Sequence, residues 1–267
     1  MGRCITNTFT DRSRKINMVY QKMAYVYDQL MMDAPYDQWL QFTEEVFRQS
    51  GKKIKNVADL GCGTGEITAL LADEGYNMIG IDYSSDMLAY AEQKAHDKKL
   101  PIHWLHQDLR ELKGLSNLDA AVSYCDVINY ITEDKDLEIV FQRVADSLSN
   151  GGLFLFDIHS LHHVEINCIN QTFADVNDDV SYIWFCTEGD TPGEMHHDLT
   201  FFTFDGNSYE RFDEYHHQKT YQIDFYKKLL VKAGFENLKI GYDFSLNHHE
   251  NIQEAERIFF IAEKRSG

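Results

Sequence analysis

Apolar positions set the first expectations. Met23, Val26, Tyr27 and Leu30 recur at helical spacing within residues 18–50. Pro35 interrupts the pattern, Trp39, Phe42, Val46 and Phe47 resume it, and Gly51 closes it. From residue 55 the pattern changes. Short apolar runs predict strands at Asn56–Leu60, Asn77–Asp82, Ile102–His106, Leu118–Tyr124 and Leu153–Ile158. Amphipathic stretches between them predict helices at Glu66–Glu74, Ser85–Lys99 and Asp134–Leu148. Strand-helix alternation of this kind argues a parallel sheet covered on both faces.

The regularity stops at His159. Residues 160–219 are rich in aromatics, His and Asp. Tyr182–Thr187, Glu194–Phe204 and Ser208–Gln218 read as antiparallel strands, with a turn at Asp205-Gly206-Asn207 between the last two. A helix returns over Tyr221–Lys232, and Leu238–Phe244 and Arg257–Ala262 finish as strands. The insertion is expected over the carboxyl edge of the sheet, where open α/β sheets bind ligands.

Charge and cysteine content narrow the classes. Acidic residues number 43 and basic ones 25, a formal net charge of −18. A field of that sign repels nucleic acid and anionic lipid surfaces, so neither is an expected partner. No run approaches the roughly 20 apolar residues of a membrane helix. The five cysteines lack CxxC spacing, which fits reduced thiols and a cytoplasmic location. Residues 1–17 lack a secretory apolar core and are expected to be a flexible leader. Their start, MGRCIT, also fits the short pattern for N-myristoylation.

The informative segment is Asp59-Leu60-Gly61-Cys62-Gly63-Thr64-Gly65, which follows a strand and opens a helix. Gly61 and Gly63 permit a tight turn and close ligand approach. A dinucleotide loop would read GxGxxG, but the sixth position is Glu66, an acid that would sit badly against a pyrophosphate. This disfavours a nicotinamide dehydrogenase. Asp59 offers a carboxylate near the loop, suited to a ligand with a positive group. Asp82 ends the next strand, where an acid accepts bonds from ribose hydroxyls. Asp108 follows the third strand and can accept from an exocyclic amine, while Leu109 and Met87 can sandwich a flat base.

These segments resemble the class I S-adenosylmethionine-dependent methyltransferases. DLGCGTG matches their first motif, IDYSSDML their second and QDL their third, over roughly residues 55–160 and 220–262. The resemblance implies a Rossmann-like α/β fold, a seven-stranded mostly parallel sheet with its last strand antiparallel and helices on both faces. To this the chain adds the antiparallel insertion. It implies S-adenosylmethionine as cofactor, with the glycine loop at the methionine part, Asp82 at the ribose, Asp108 with Leu109 at the adenine, and Tyr83 among the cofactor-binding residues. Tyr124 sits where relatives approach the methionine moiety. The run Tyr20-x-x-x-Ala24-x-x-Tyr27-Asp28 resembles a helix of glycine and sarcosine N-methyltransferases that folds over the cofactor. Residues 18–50 are therefore expected as a helical lid within one domain, 18–267, with Tyr20 against the cofactor and Tyr27 against the substrate. The arginine that grips the cofactor carboxylate in glycine enzymes has no evident counterpart.

Catalytic candidates are His159, at the end of the fifth strand, and Asp126, just past the fourth. His159 is placed to act as a general base. Arg211 is a candidate for a substrate carboxylate, or else half of an Arg–Asp pair holding the insertion together. No metal is expected. The four His-His pairs put adjacent side chains on opposite faces of a strand, and no HExxH spacing occurs. The expected activity is direct methyl transfer to a small-molecule nitrogen or oxygen. The alternatives are a catalytically idle cofactor-binding regulatory module and a protein or RNA methyltransferase.

Overall fold

The computed structural model describes residues 24, 26–31, 33–204, 206–246 and 254–267. The expected leader and Tyr20 lie outside the described residues. Residues 26–30 are helical. Helix α1 (Tyr36–Ser50) starts after Pro35 and ends at Gly51, whose left-handed φ of 65° stops it. There follow β1 (Asn56–Leu60), α2 (Glu66–Asp73), β2 (Asn77–Asp82), α3 (Ser85–Lys98), β3 (His103–His106), β4 (Leu118–Ser123), α4 (Asp134–Ser147) and β5 (Leu148–His159). The insertion supplies β6 (Gln171–Val176), β7 (Val180–Glu188), β8 (Glu194–Phe204) and β9 (Tyr209–Lys219). Helix α5 (Ile223–Lys232) and strands β10 (Phe235–Tyr242) and β11 (Arg257–Lys264) complete the chain.

The main sheet has seven strands in the order β10-β11-β5-β4-β1-β2-β3. Strands β1 to β5 pair in parallel, and β11 runs antiparallel to both β5 and β10. The last strand is thus antiparallel, as the family resemblance implies. The strand order reverses between β1 and β4, which opens a crevice at their carboxyl ends.

Alternation along each strand builds the two cores. On β5, Phe154 and Phe156 enter the layer under α4 and α5, where Phe156 stacks on Phe260 at 4.7 Å. Leu153 and Leu155 point to the other face, under Trp39, Phe42, Val46 and Phe47 of α1. Each such fully buried side chain contributes about 1.5–3 kcal/mol. Strand β5 begins earlier than its apolar run suggests, because Leu148 already pairs with Leu118. Among the described residues no helix is long and apolar enough to cross a membrane.

The insertion is a separate four-stranded antiparallel sheet, β6-β7-β8-β9. Its inner face carries Val180 and Phe201, which bury Val26 from the segment ahead of α1. Asn129, itself buried, clasps both ends of the insertion. Its Oδ1 accepts from the His159 peptide N–H at 2.9 Å, and its Nδ2 donates to the Lys219 carbonyl at 2.9 Å.

Candidate active site

The glycine loop bends as its composition requires. Gly61 has φ 75°, and a Cβ there would come within 2.4 Å of Val127. Gly63 has φ 52° with no heavy atom within 4 Å of its would-be Cβ, so this side of the loop is open to a ligand. The Gly63 N–H donates to Asp82 Oδ2 at 2.8 Å, and the Ser84 N–H donates to Asp82 Oδ1 at 2.8 Å. Burial raises the Asp82 carboxyl above its ordinary value against these donors. Each Asp82 oxygen keeps a lone pair for a further donor. That spare capacity beside an open glycine fits a ribose diol. Behind the loop, Asp59 is buried and accepts from Thr68 Oγ1 at 2.5 Å. Burial pushes its carboxyl up to about 7.

Strands β2 and β3 bring the other cofactor candidates alongside. Asp82 pairs with His106, two residues before Asp108. The Asp108 carboxylate caps the turn at residues 109–111 through the Arg110 N–H at 2.9 Å, and the Arg110 guanidinium spans it. That bonding holds it below the usual carboxylate range. Leu109 is buried, Met87 is half-buried in the first turn of α3, and Tyr83 is exposed. The acid that disfavoured a dinucleotide loop, Glu66, is paired with Lys94. Lys94 also reaches Asp28 at 3.0 Å, and Asp28 accepts from Thr64 Oγ1 at 2.9 Å. The segment ahead of α1 is thereby tied to the glycine loop.

The second half of the site forms after β4. Cys125 and Asp126 both adopt left-handed backbone, φ 57° and 53°. Such residues cost about 1–3 kcal/mol each and persist only where the surroundings over-determine them. Here the Asp126 N–H donates to Asp157 Oδ1 at 2.9 Å. Gln218 Nε2 donates to Asp126 Oδ2 at 2.7 Å, and both terminal nitrogens of Arg257 donate to Oδ1 at 3.2 Å. His159 Nε2 lies 3.3 Å from the same Oδ1. Burial opposes the Asp126 charge, but His159, Arg257 and Gln218 outweigh it and hold the carboxyl well below the usual range. Asp157 is fully buried and accepts from Trp39 Nε1 at 2.7 Å. Arg257 bridges the two acids and lies over the Trp39 ring at 5.2 Å.

This geometry orients His159. With Nε2 turned to Asp126, Nδ1 is buried and has no hydrogen-bond partner among the described residues. The ring stacks on His163 at 5.1 Å. Burial holds the Tyr27 hydroxyl protonated, aided by the field of Cys125, Tyr36, Asp126 and Tyr130. The structure therefore brings Tyr27, Asp126 and His159 to one edge of the sheet.

Two candidates are placed elsewhere. The Tyr124 ring is buried under α1 with its hydroxyl 2.7 Å from Thr43 Oγ1, which leaves only its backbone near the glycine loop. Arg211 is exposed and donates to Asp213 Oδ1 at 2.8 Å. It precedes Gln218 by seven residues on β9, about 23 Å of extended strand. The structure does not bring Arg211 to the site, and the Arg–Asp pairing is what it forms.

Trp39, Asp157, Arg257, Gln218, His197 and Trp184 were missed by pattern reading. Asp157 inside the apolar run Leu153–Ile158 was the available signal, since a charge is seldom buried without a partner. The last three form a directed chain. Trp184 Nε1 donates to His197 Nδ1 at 2.9 Å, so Nε2 carries the His197 proton toward Gln218 Oε1 at 3.0 Å. Burial pushes His197 down to about 4, which keeps it neutral.

An open glycine loop, a ribose-competent acid at the next strand end and a polar edge after β4, on this strand order, define a Rossmann-like nucleoside-cofactor domain. The comparisons agree. The family model described as a methyltransferase domain matches residues 57–152. A protein of Geobacillus sp. (strain WCH70) named as a methyltransferase is 40% identical over 249 residues, covering 92% of this chain and 100% of its own. An S-adenosylmethionine-dependent methyltransferase structure from Clostridium acetobutylicum superposes with TM-score 0.83 at 30% identity, over 93% of this chain and 100% of that one. The sugar N-methyltransferase KedS8 from Streptoalloteichus sp. shares the fold, with TM-score 0.71 at 17% identity over 100% of this chain and 96% of its own. Mouse (Mus musculus) glycine N-methyltransferase is a distant relative, 25% identical over 154 residues, 52% of this chain and 50% of its own. The chain belongs to the S-adenosylmethionine-dependent methyltransferase family, and S-adenosylmethionine is its cofactor.

Proposed function

We propose that this enzyme methylates a nitrogen or oxygen of a small molecule that must lose a proton as it reacts, and that it does so in the cytoplasm. The observation that carries the proposal is the buried Nδ1 of His159, which has no partner among the described residues, in a ring whose other nitrogen faces Asp126. With Nε2 turned to Asp126, the Nδ1 lone pair is left to accept the nucleophile's proton. Tyr27 keeps its hydroxyl proton and offers a donor to the substrate. The covered edge excludes water, and alignment of nucleophile and methyl carbon supplies most of the rate.

The cofactor supplies an electrophilic methyl group on a sulfonium when bound. Asp82 receives the ribose hydroxyls on its two remaining lone pairs, with Tyr83 beside it. Gly61 and Gly63 give the methionine portion close access to the backbone, joined by the Tyr124 backbone. Met87 and Leu109 flank the adenine, and Asp108 accepts from its amine. Asp59, behind the loop, adds negative potential as it ionises. Helix α1 is a core layer on the sheet, so of the lid expected at 18–50 it is the described segment 26–31, tied to the loop through Asp28, that serves as the lid, and residues 160–219 wall the substrate side. The likeness to a sugar N-methyltransferase supports a small-molecule acceptor, and the charge of −18 argues against RNA.

The test is turnover to S-adenosylhomocysteine with a panel of small amines, amino sugars, acids and phenols. At least one should be methylated, and His159→Ala should lower kcat by about 100-fold or more with cofactor affinity unchanged. Cofactor binding without turnover would indicate a regulatory module. Methylated protein or RNA, with no small-molecule product, would overturn the substrate class.

A further inference from the structure

The outer face of the insertion sheet carries a cluster that methyl transfer does not use. Strands β8 and β9 place His196 directly opposite His217. Residues so paired project from one face, with Cβ atoms about 5 Å apart. The two rings stack with centroids 4.6 Å apart. Glu194, two residues before His196, shares that face, and its Oε1 lies 2.7 Å from His217 Nε2. One ligand atom from each of the three lies within 4.8 Å of the others. His197 and Gln218, next along each strand, point to the opposite face and the active site. The cluster is therefore separate from it.

The surroundings already hold these side chains. The Thr191 N–H and Oγ1 donate to Glu194 Oε2 at 3.0 and 2.8 Å, which leaves Oε1 aimed into the cluster. Tyr215 Oη meets His196 Nδ1 at 2.6 Å and leaves Nε2 for another partner. Bonds of this outer kind orient metal ligands and fix their tautomers.

We propose that Glu194, His196 and His217 bind a divalent transition-metal ion, zinc above all. Two imidazoles and one carboxylate make a zinc-type donor set with a position left for water. Three donors, two of them nitrogen, do not suit calcium or magnesium, which demand more oxygens. The ion replaces the His217–Glu194 hydrogen bond and links β8 to β9 next to the tight turn at Thr191–Gly193. Adjacent histidines on one strand cannot chelate together, but pairing across two strands supplies what that argument omits.

The test uses the untagged full chain stripped of metal. Calorimetric titration with zinc chloride should show one site per chain, and cobalt(II) should develop a visible absorption band at the same stoichiometry. His217→Gln and the double variant His196→Ala/His217→Ala should weaken zinc binding at least about tenfold, the loss seen even for residues outside the ligand shell. Both variants should keep wild-type circular dichroism and S-adenosylmethionine affinity. Should the double variant fail to fold, His217→Gln and Glu194→Gln carry the comparison. No zinc uptake by the wild type, or equal zinc affinity in folded variants, overturns the site.

Discussion

Asp82 gathers the glycine loop and the start of α3 through two backbone donors, so its removal tests the cofactor site at one atom group. Asp82→Ala should lower S-adenosylmethionine affinity at least about tenfold by calorimetry while circular dichroism stays native, since two hydrogen bonds to a charged group are worth more than 1.4 kcal/mol. Asp59 carries a different signature. Its folded carboxyl titrates at about 7, whereas an unfolded Asp titrates at about 3.9. Between those values the folded chain holds a proton that the unfolded chain has lost. Stability from this group is therefore present below the lower value and is lost as pH rises toward the upper one. Asp59→Asn should gain on the wild type across that window in urea unfolding, and the gain should level off above about pH 7. Gly61→Ala adds a Cβ within 2.4 Å of Val127 at φ 75°. The variant should lose about 1–3 kcal/mol or more on the same assay.

The elements differ in how much of themselves the sequence displays. Strands β1, β2, β4 and β5 were legible because a parallel strand buried on both faces is a continuous apolar run. Edge strand β6 was not, because Gln171–Val176 is nearly all exposed and carries no alternation. In the candidate site, Asp82 and the glycines were legible as local spacing after one strand. The Arg257–Asp126–Asp157 network was not, since Arg257 lies 131 residues from Asp126 in sequence and meets it only through the β5–β11 pairing. Gln218 was invisible for the same reason: it is one polar residue on a polar strand until the insertion folds back. Gln218→Leu removes the donor to Asp126 Oδ2 and strands His197 without its acceptor. It should cost about 1–3 kcal/mol in denaturant unfolding and lower kcat more than it weakens cofactor binding.

Across the whole molecule, one short segment touches all three parts. Val26 packs on the insertion, while Asp28 joins Thr64 of the glycine loop and Lys94 of α3. Cofactor bound at the loop would thus also steady the segment that Asp28 ties to it. Ligand binding to the folded state alone should stabilise it by about 2.7 kcal/mol at 100 times Kd. For a chain of this size that is a rise of roughly 5–10 °C in Tm, readable by differential scanning fluorimetry. Asp28→Ala should reduce both that rise and the cofactor affinity. The double clasp of Asn129 has a wider consequence. Both ends of the 60-residue insertion meet at a single amide, and the Thr220 hydroxyl adds a bond to the His159 carbonyl at 2.6 Å. The insertion is thus anchored at its two ends in one place, with Gln218 on Asp126 and the Val180–Phe201 patch on Val26 among its further contacts with the rest of the chain. A foreign sheet spliced between His159 and Thr220 would therefore have to return one amide donor to Asp126 and an apolar seat for Val26 before the loop and the segment tied to it could keep their places.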